Sequence, residues 1–198
     1  MPWINPTLFW AGCTALTMLN LSTVAPAPSG VVRAGRLSFD GRATTGSFTG
    51  STTTVTGEMT GGPALATVQG WVEAPVKTLV TGNRKRDADL NKSMESDQYP
   101  VIRYELVQVI PGAVRGDTTA VILQGSFIIH GVRRPAALPA QVYRLPDGVR
   151  LRSDIPLNLK DYRIGGLTKL LGALRMDEHI LVHVDLRFGA PGMAPNHP

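Results

Sequence analysis

Residues 179–188 set Ile180, Val182, Val184, Leu186 and Phe188 on one face of an extended chain and Leu181, His183, Asp185 and Arg187 on the other. Successive side chains of a strand point to opposite faces, so this alternation describes a strand with one apolar and one wetter side. The rhythm recurs along the chain. Over 101–109, Ile102, Tyr104 and Leu106 oppose Arg103 and Glu105. Over 120–131, Val121, Leu123, Gly125, Phe127 and Ile129 share a face, and over 149–159 Leu151, Ile155, Leu157 and Leu159 oppose Arg150, Arg152, Asp154 and Asn158. One-sided strands belong to antiparallel sheets rather than to a parallel sheet buried on both faces.

The remaining strands are less regular. Residues 31–39 and 65–72 read as strands. Residues 48–59 are rich in Thr, and Gly50 and Gly57 mark a bulge or a tight bend there. Pro135 and Pro139 interrupt residues 136–145, which read as an edge strand. Turns are expected at 41–46, 61–63, 111–112, 115–117 and 146–148. In the long connection 161–176, Leu167, Leu170, Leu171 and Leu174 have helical spacing. The total is about eight strands, enough to close a barrel around one small or elongated ligand. The pattern alone leaves barrel and sandwich open. Composition agrees with an all-β chain: charged residues make up only 18%, and there are 21 Gly and 15 Pro to build turns.

A single cysteine, Cys13, rules out an intrachain disulfide and any multi-cysteine metal site, so packing and strand pairing must hold the fold. The net charge of +5 is spread along the chain, apart from residues 84–86 and 133–134, and no basic stripe is interleaved with aromatics. That distribution argues for a solvated barrel surface and against nucleic-acid binding.

Residues 70–100 leave the strand rhythm. They contain a charged, helix-forming segment in which Asn83 is placed to cap or turn, and Leu90 and Met94 lie one turn apart on a face that can plug a barrel end. Arg86 and Asp87 are expected to tie this turn to neighbouring strands. Asp87, Asp89 and Glu95 lie among basic residues, and local ion pairing accounts for them without acid–base chemistry. Ser93 and Ser126 have no nucleophile context, and no phosphate-binding glycine loop or zinc-protease motif occurs. His179 and His183 would share a strand face but lie too far apart for a metal site. His130 falls at a strand end, where it can hydrogen-bond backbone. No catalytic residue, metal or cofactor is assigned.

Residues 1–32 carry no charged side chain, and 8–21 are mostly apolar or small before a Ser/Thr/Pro/Ala-rich break. This resembles a secretory leader, which makes the mature chain periplasmic or secreted. Lipid attachment at Cys13 and an untargeted leader are the alternatives. The domain plan is a leader at 1–30, one barrel at 31–189 and a loose tail at 190–198.

The chain resembles the YceI family of polyisoprenoid-binding, lipocalin-like bacterial proteins. The resemblance lies in Leu37-Ser38-Phe39, Gly46-Ser47-Phe48-Thr49-Gly50, the run 81–90 containing Asn83, Arg86 and Asp87, then Tyr99-Pro100, 125–132 with His130-Gly131, and 161–165. Asp89 and Ser93-Met94 depart from the family pattern, where His and an aromatic pair are common. The resemblance implies a single eight-stranded antiparallel β-barrel with a short helix between the third and fourth strands. It also implies an exported, non-enzymatic carrier with a polyprenyl or quinone-type lipid in its apolar interior. The inward ligand-contacting residues are expected to be Phe48, Ile102, Tyr104, Leu106, Leu123, Phe127, Leu157, Val182, Val184 and Leu186. Asn83, Arg86, Asp87, Tyr99, Pro100, His130 and Gly131 are expected to be structural. The partner is an isoprenoid or other long-chain lipid, with transient membrane contact; assembly is left open, a homodimer included. The alternatives are a hydrolase or isomerase on the same barrel, using His130 with Asp87 or Asp89, and a filled-barrel stress-response surface protein.

Overall fold

A computed structural model of the chain describes residues 30–44, 46–61, 64–165, 168–169 and 174–189. The leader up to residue 29, with Cys13, lies outside these residues, as do Leu167, Leu170, Leu171 and the tail from residue 190. In chain order the strands are β1 (Gly30–Ala43), β2 (Gly46–Thr52), β3 (Thr56–Thr60), β4 (Gln69–Pro75), β5 (Val101–Arg115), β6 (Thr118–Ile129), β7 (Val132–Leu145), β8 (Gly148–Asn158), the two-residue β9 (Thr168–Lys169) and β10 (Leu174–Arg175), and β11 (His179–Gly189). One α-helix, α1 (Arg84–Ser93), lies between β4 and β5.

The strands β1, β3, β4, β5, β6, β7, β8 and β11 form an antiparallel ring that closes through β11 and β1. This is a closed eight-stranded barrel, and β2 is an additional strand. The closing register runs from Val31↔Gly189 to Asp40↔Leu181. On its other side, β1 pairs with β2 from Leu37↔Thr52 to Ala43↔Gly46, and with β3 at Gly30↔Met59 and Val31↔Glu58. The Thr-rich segment expected as one strand is therefore two, parted at Thr53, Thr54 and Val55, where Thr54 N–H donates to Thr52 Oγ1 at 3.0 Å. Gly50 packs beneath Phe39, since a Cβ there would stand 2.3 Å from the ring.

Several boundaries differ from the sequence expectation for identifiable reasons. Residues 65–67 form a 3-10 turn rather than the start of a strand, because Thr67 N–H and Val68 N–H bond back to Ala64 O and Leu65 O. No turn forms at Pro111-Gly112. β4 accompanies β5 only as far as Gly70↔Leu106, so the rest of β5 pairs on one side only, with β6, and register shifts absorb the proline. β7 is not an edge strand of the sheet, since it lies between β6 and β8 and pairs with both, with β6 from Val132 to Tyr143. Its ladder with β8, however, covers just Gln141–Leu145. Pro135 and Pro139 fall outside that ladder, where a missing N–H breaks no pairing with β8. The helical spacing read over 167–174 is not realised at the described positions, because Thr168–Lys169 pairs with Leu174–Arg175 as antiparallel strands.

The core holds Val76, Met94, Val121, Leu123, Phe127, Ile129, Leu138, Ile155, Tyr162 and Ile164, drawn from the inward faces of the strands and the connections that cover them. Among the described residues, no helix is long and apolar enough to cross a membrane.

Candidate functional site

The inward faces do not meet. They enclose a cavity of about 380 Å³, more than a tightly packed interior leaves empty. Ile180, Val182, Val184, Leu186 and Phe188 of β11 form one wall, Ile102, Tyr104 and Leu106 of β5 another, and Leu123, Phe127 and Ile129 of β6 a third. Leu151, Ile155 and Leu157 continue it along β8. The ten side chains predicted to point inward all lie on this lining. Sequence reasoning missed Trp71, Val72 and Ala74, because the misread start of β4 obscured their alternation. It also missed Leu138, hidden by the prolines of β7. Ile155 and Phe188 carried the same alternation signal as their chosen neighbours Leu157 and Leu186.

α1 covers part of the cavity with Arg86, Asp89, Leu90 and Ser93, and Met94 follows directly. The helix starts at Asn83, whose side-chain oxygen accepts Lys85 N–H at 3.0 Å and Arg86 N–H at 3.1 Å. This satisfies donors that a helix start leaves without intrahelical partners. Asp87 Oδ1 accepts Thr81 N–H at 2.8 Å and Thr81 Oγ1–H at 2.6 Å. Asp87 thus binds within its own connection rather than to a neighbouring strand. The tie to β2 is made instead by Val80, which exchanges backbone hydrogen bonds with Ser51, and by Arg86. The Arg86 guanidinium lies over the Phe48 ring, 4.2 Å from its centroid.

Most other polar groups on the lining have partners. Tyr104 O–H donates to Leu123 O at 3.0 Å, and burial pushes its phenol up to about 12. Glu73 accepts from Arg103 at 2.9 Å, and Ser153 Oγ–H donates to Pro139 O at 2.7 Å. The lining is therefore an apolar surface with few polar atoms left to offer, the chemistry of a site for a hydrophobic chain.

His130 is built into the rim. Its φ of 51° and the φ of 70° at Gly131 form a two-residue turn between Ile129 and Val132, with both central residues in the left-handed region. The ring places Nδ1 3.1 Å from Tyr162 O and packs edge-on against Tyr99, with ring centroids 4.5 Å apart. Pro100 O accepts Val76 N–H at 2.8 Å, fixing the entry to β5. Among the described residues, no hydrogen bond or ion pair joins His130 to Asp87 or Asp89, and its Nε2 lies 3.5 Å from Glu95 Oε1 instead. Asp87 is held by Thr81, Asp89 lines the cavity, and His130 does not. Among the described residues, no histidine reaches the cavity and no cluster of three metal-ligating side chains forms.

The model of the YceI-like domain matches residues 24–188. The chain belongs to the YceI-like domain family. Solved structures share its fold. A polyisoprenoid binding domain from Saccharophagus degradans, implicated in plant cell wall breakdown, superposes with a TM-score of 0.69 at 18% identity, covering 83% of this chain and 99% of that one. Burkholderia cenocepacia BcnA gives a TM-score of 0.65 at 12% identity over 77% and 95% of the two chains. The Campylobacter jejuni YCEI protein gives 0.56 at 15% identity over 70% and 82%. Among curated proteins, none matches the chain. Within the YceI-like domain, the Gly46-Ser47-Phe48-Thr49-Gly50 segment now has a physical reading: Phe48 carries Arg86, and Gly50 makes room for Phe39.

Proposed function

We propose that this YceI-like protein is an exported, non-enzymatic carrier that holds one long-chain amphiphile, such as a polyisoprenoid or quinone tail, inside its barrel. The observation that carries the reading is the cavity of about 380 Å³ lined by Leu, Ile, Val and Phe side chains from every side of the ring. Each buried CH₂ of a chain placed there gains about 0.8 kcal/mol, so a long tail needs few polar contacts. The ten lining residues from Phe48 to Leu186 are the proposed tail contacts. The fold-sharing Saccharophagus degradans domain, described as polyisoprenoid binding, supports this ligand class. The uncharged, apolar residues 8–21 support export.

Titrating delipidated protein with a polyprenol, followed by the change in tryptophan fluorescence to which Trp71 on the lining contributes, tests the reading. Saturable binding at one molecule per chain is expected. Absence of saturable binding by a folded protein contradicts it.

A further inference from the structure

We propose that the carried amphiphile is anionic, with a carboxylate or phosphate headgroup held by Arg86. This rests on the carrier reading above and narrows its ligand class.

Among the described residues, three charged side chains line the cavity: Glu73, Arg86 and Asp89. Glu73 is paired with Arg103 at 2.9 Å. Asp89 has a partner of its own. The remaining acid near Arg86, Asp87, is committed to Thr81 at the start of α1. Among the described residues, no ion pair joins Arg86 to a carboxylate, and its guanidinium lies over the face of Phe48. Arg86 is therefore a cation on the cavity wall with no carboxylate partner among the described residues.

A guanidinium carries five N–H donors in a planar fork that fits a carboxylate or phosphate, and stacking on an aromatic face leaves its edge available for such an anion. Helix α1 and β2 hold Arg86 from two sides, so little side-chain freedom is lost when an anion binds. A neutral headgroup would leave this charge unpaired beside an apolar tail, which is the less favourable arrangement. The two headgroup sources share this chemistry and differ in how they titrate.

Delipidated protein is titrated with hexadecanoate, hexadecyl phosphate and hexadecanol, which share one tail. Both anions are expected to bind about tenfold more tightly than the alcohol, the gain of one charge-assisted contact. Arg86→Gln is expected to bring the ratio of hexadecanoate to hexadecanol affinity close to one, and Arg86→Lys to retain part of it. Lowering the pH through the carboxylic acid range should weaken hexadecanoate and spare hexadecyl phosphate, which keeps a negative charge. Equal binding of hexadecanol and both anions to the native protein overturns the headgroup proposal while leaving the carrier reading intact. Binding of none of the three overturns the carrier reading, and the headgroup proposal with it. An anion preference that survives Arg86→Gln assigns the headgroup to another group and overturns the role of Arg86.

Discussion

The guanidinium carbon of Arg86 stands 4.2 Å from the centroid of the Phe48 ring, joining the first turn of α1 to β2. Phe48 in turn meets Phe39 edge-on, with centroids 6.2 Å apart and planes at 89°. A single aromatic therefore links the helix that covers the cavity to the strand that closes the barrel. Phe48→Leu preserves most of the buried apolar area but removes the ring beneath the cation. A loss of about 1 kcal/mol is expected, read as a fall in Tm of about 2–4 °C.

Asp87 has a different task. Its carboxylate satisfies two donors of Thr81 at the start of α1. Asp87→Ala should cost about 1–2 kcal/mol, lowering Tm by about 3–6 °C, while lipid affinity measured on the folded fraction stays within twofold of native. A normal Tm with lost binding would instead place Asp87 in the ligand site.

Tyr104 provides an alkaline signature. Burial raises its phenol to about 12, above the value of about 10 in an unfolded chain. A group whose folded pKa is raised contributes stability below its unfolded pKa and loses it as pH climbs through the folded value. Stability should therefore decline between about pH 10 and pH 12, and ultraviolet titration should show Tyr104 among the last phenols to ionise. Burial also raises Tyr162, which adds to the same slope. Tyr104→Phe removes the Tyr104 contribution to that slope and one late-ionising phenol.

The seam that closes the barrel carries its own pH dependence on the outside. His183 Nδ1 lies 2.6 Å from Asp154 Oδ1, and Nε2 lies 3.1 Å from Asp40 Oδ2, so one imidazolium bridges β8, β11 and β1. The hydrogen bond to Asp154, then that to Asp40, raises the His183 pKa. Thr49 and then His183 lower that of Asp40. The His183 contribution is complete below its unfolded value near 6.5 and fades as pH rises through the higher folded value. The Asp40 contribution is complete above its unfolded value and fades as pH falls through the lowered folded value. Tm should therefore be highest in mildly acidic solution and fall by about 2 °C toward pH 9, with His183→Gln flattening the upper limb.

Much of this arrangement was legible in the residues. Alternation along β11, β5, β6 and β8 assigned nine side chains to the interior, because period two is a property of the chain itself. The eight-stranded ring and the helix between its third and fourth strands followed the family resemblance, with β2 and β3 counted as one bent strand. What was obscured depended on partners. Pro111 reads as a turn residue until β4 is seen to stop opposite Leu106, leaving the proline on a stretch of β5 that pairs on one side only, with β6. Pro139 reads as an edge marker until β8 is seen to pair with β7 only at its far end. Asp87 and Arg86 stand side by side in the sequence yet serve different ends, one holding its own turn and the other facing the cavity.

The central claim is that the cavity carries a lipid, and native mass spectrometry of the purified protein measures this most directly. One long-chain amphiphile per chain is expected on the native protein. It should be absent from Val184→Trp, whose indole occupies the cavity while the barrel still folds. A native protein that is folded, carries no lipid in repeated preparations and takes up none after incubation with polyprenol or hexadecanoate would contradict the account.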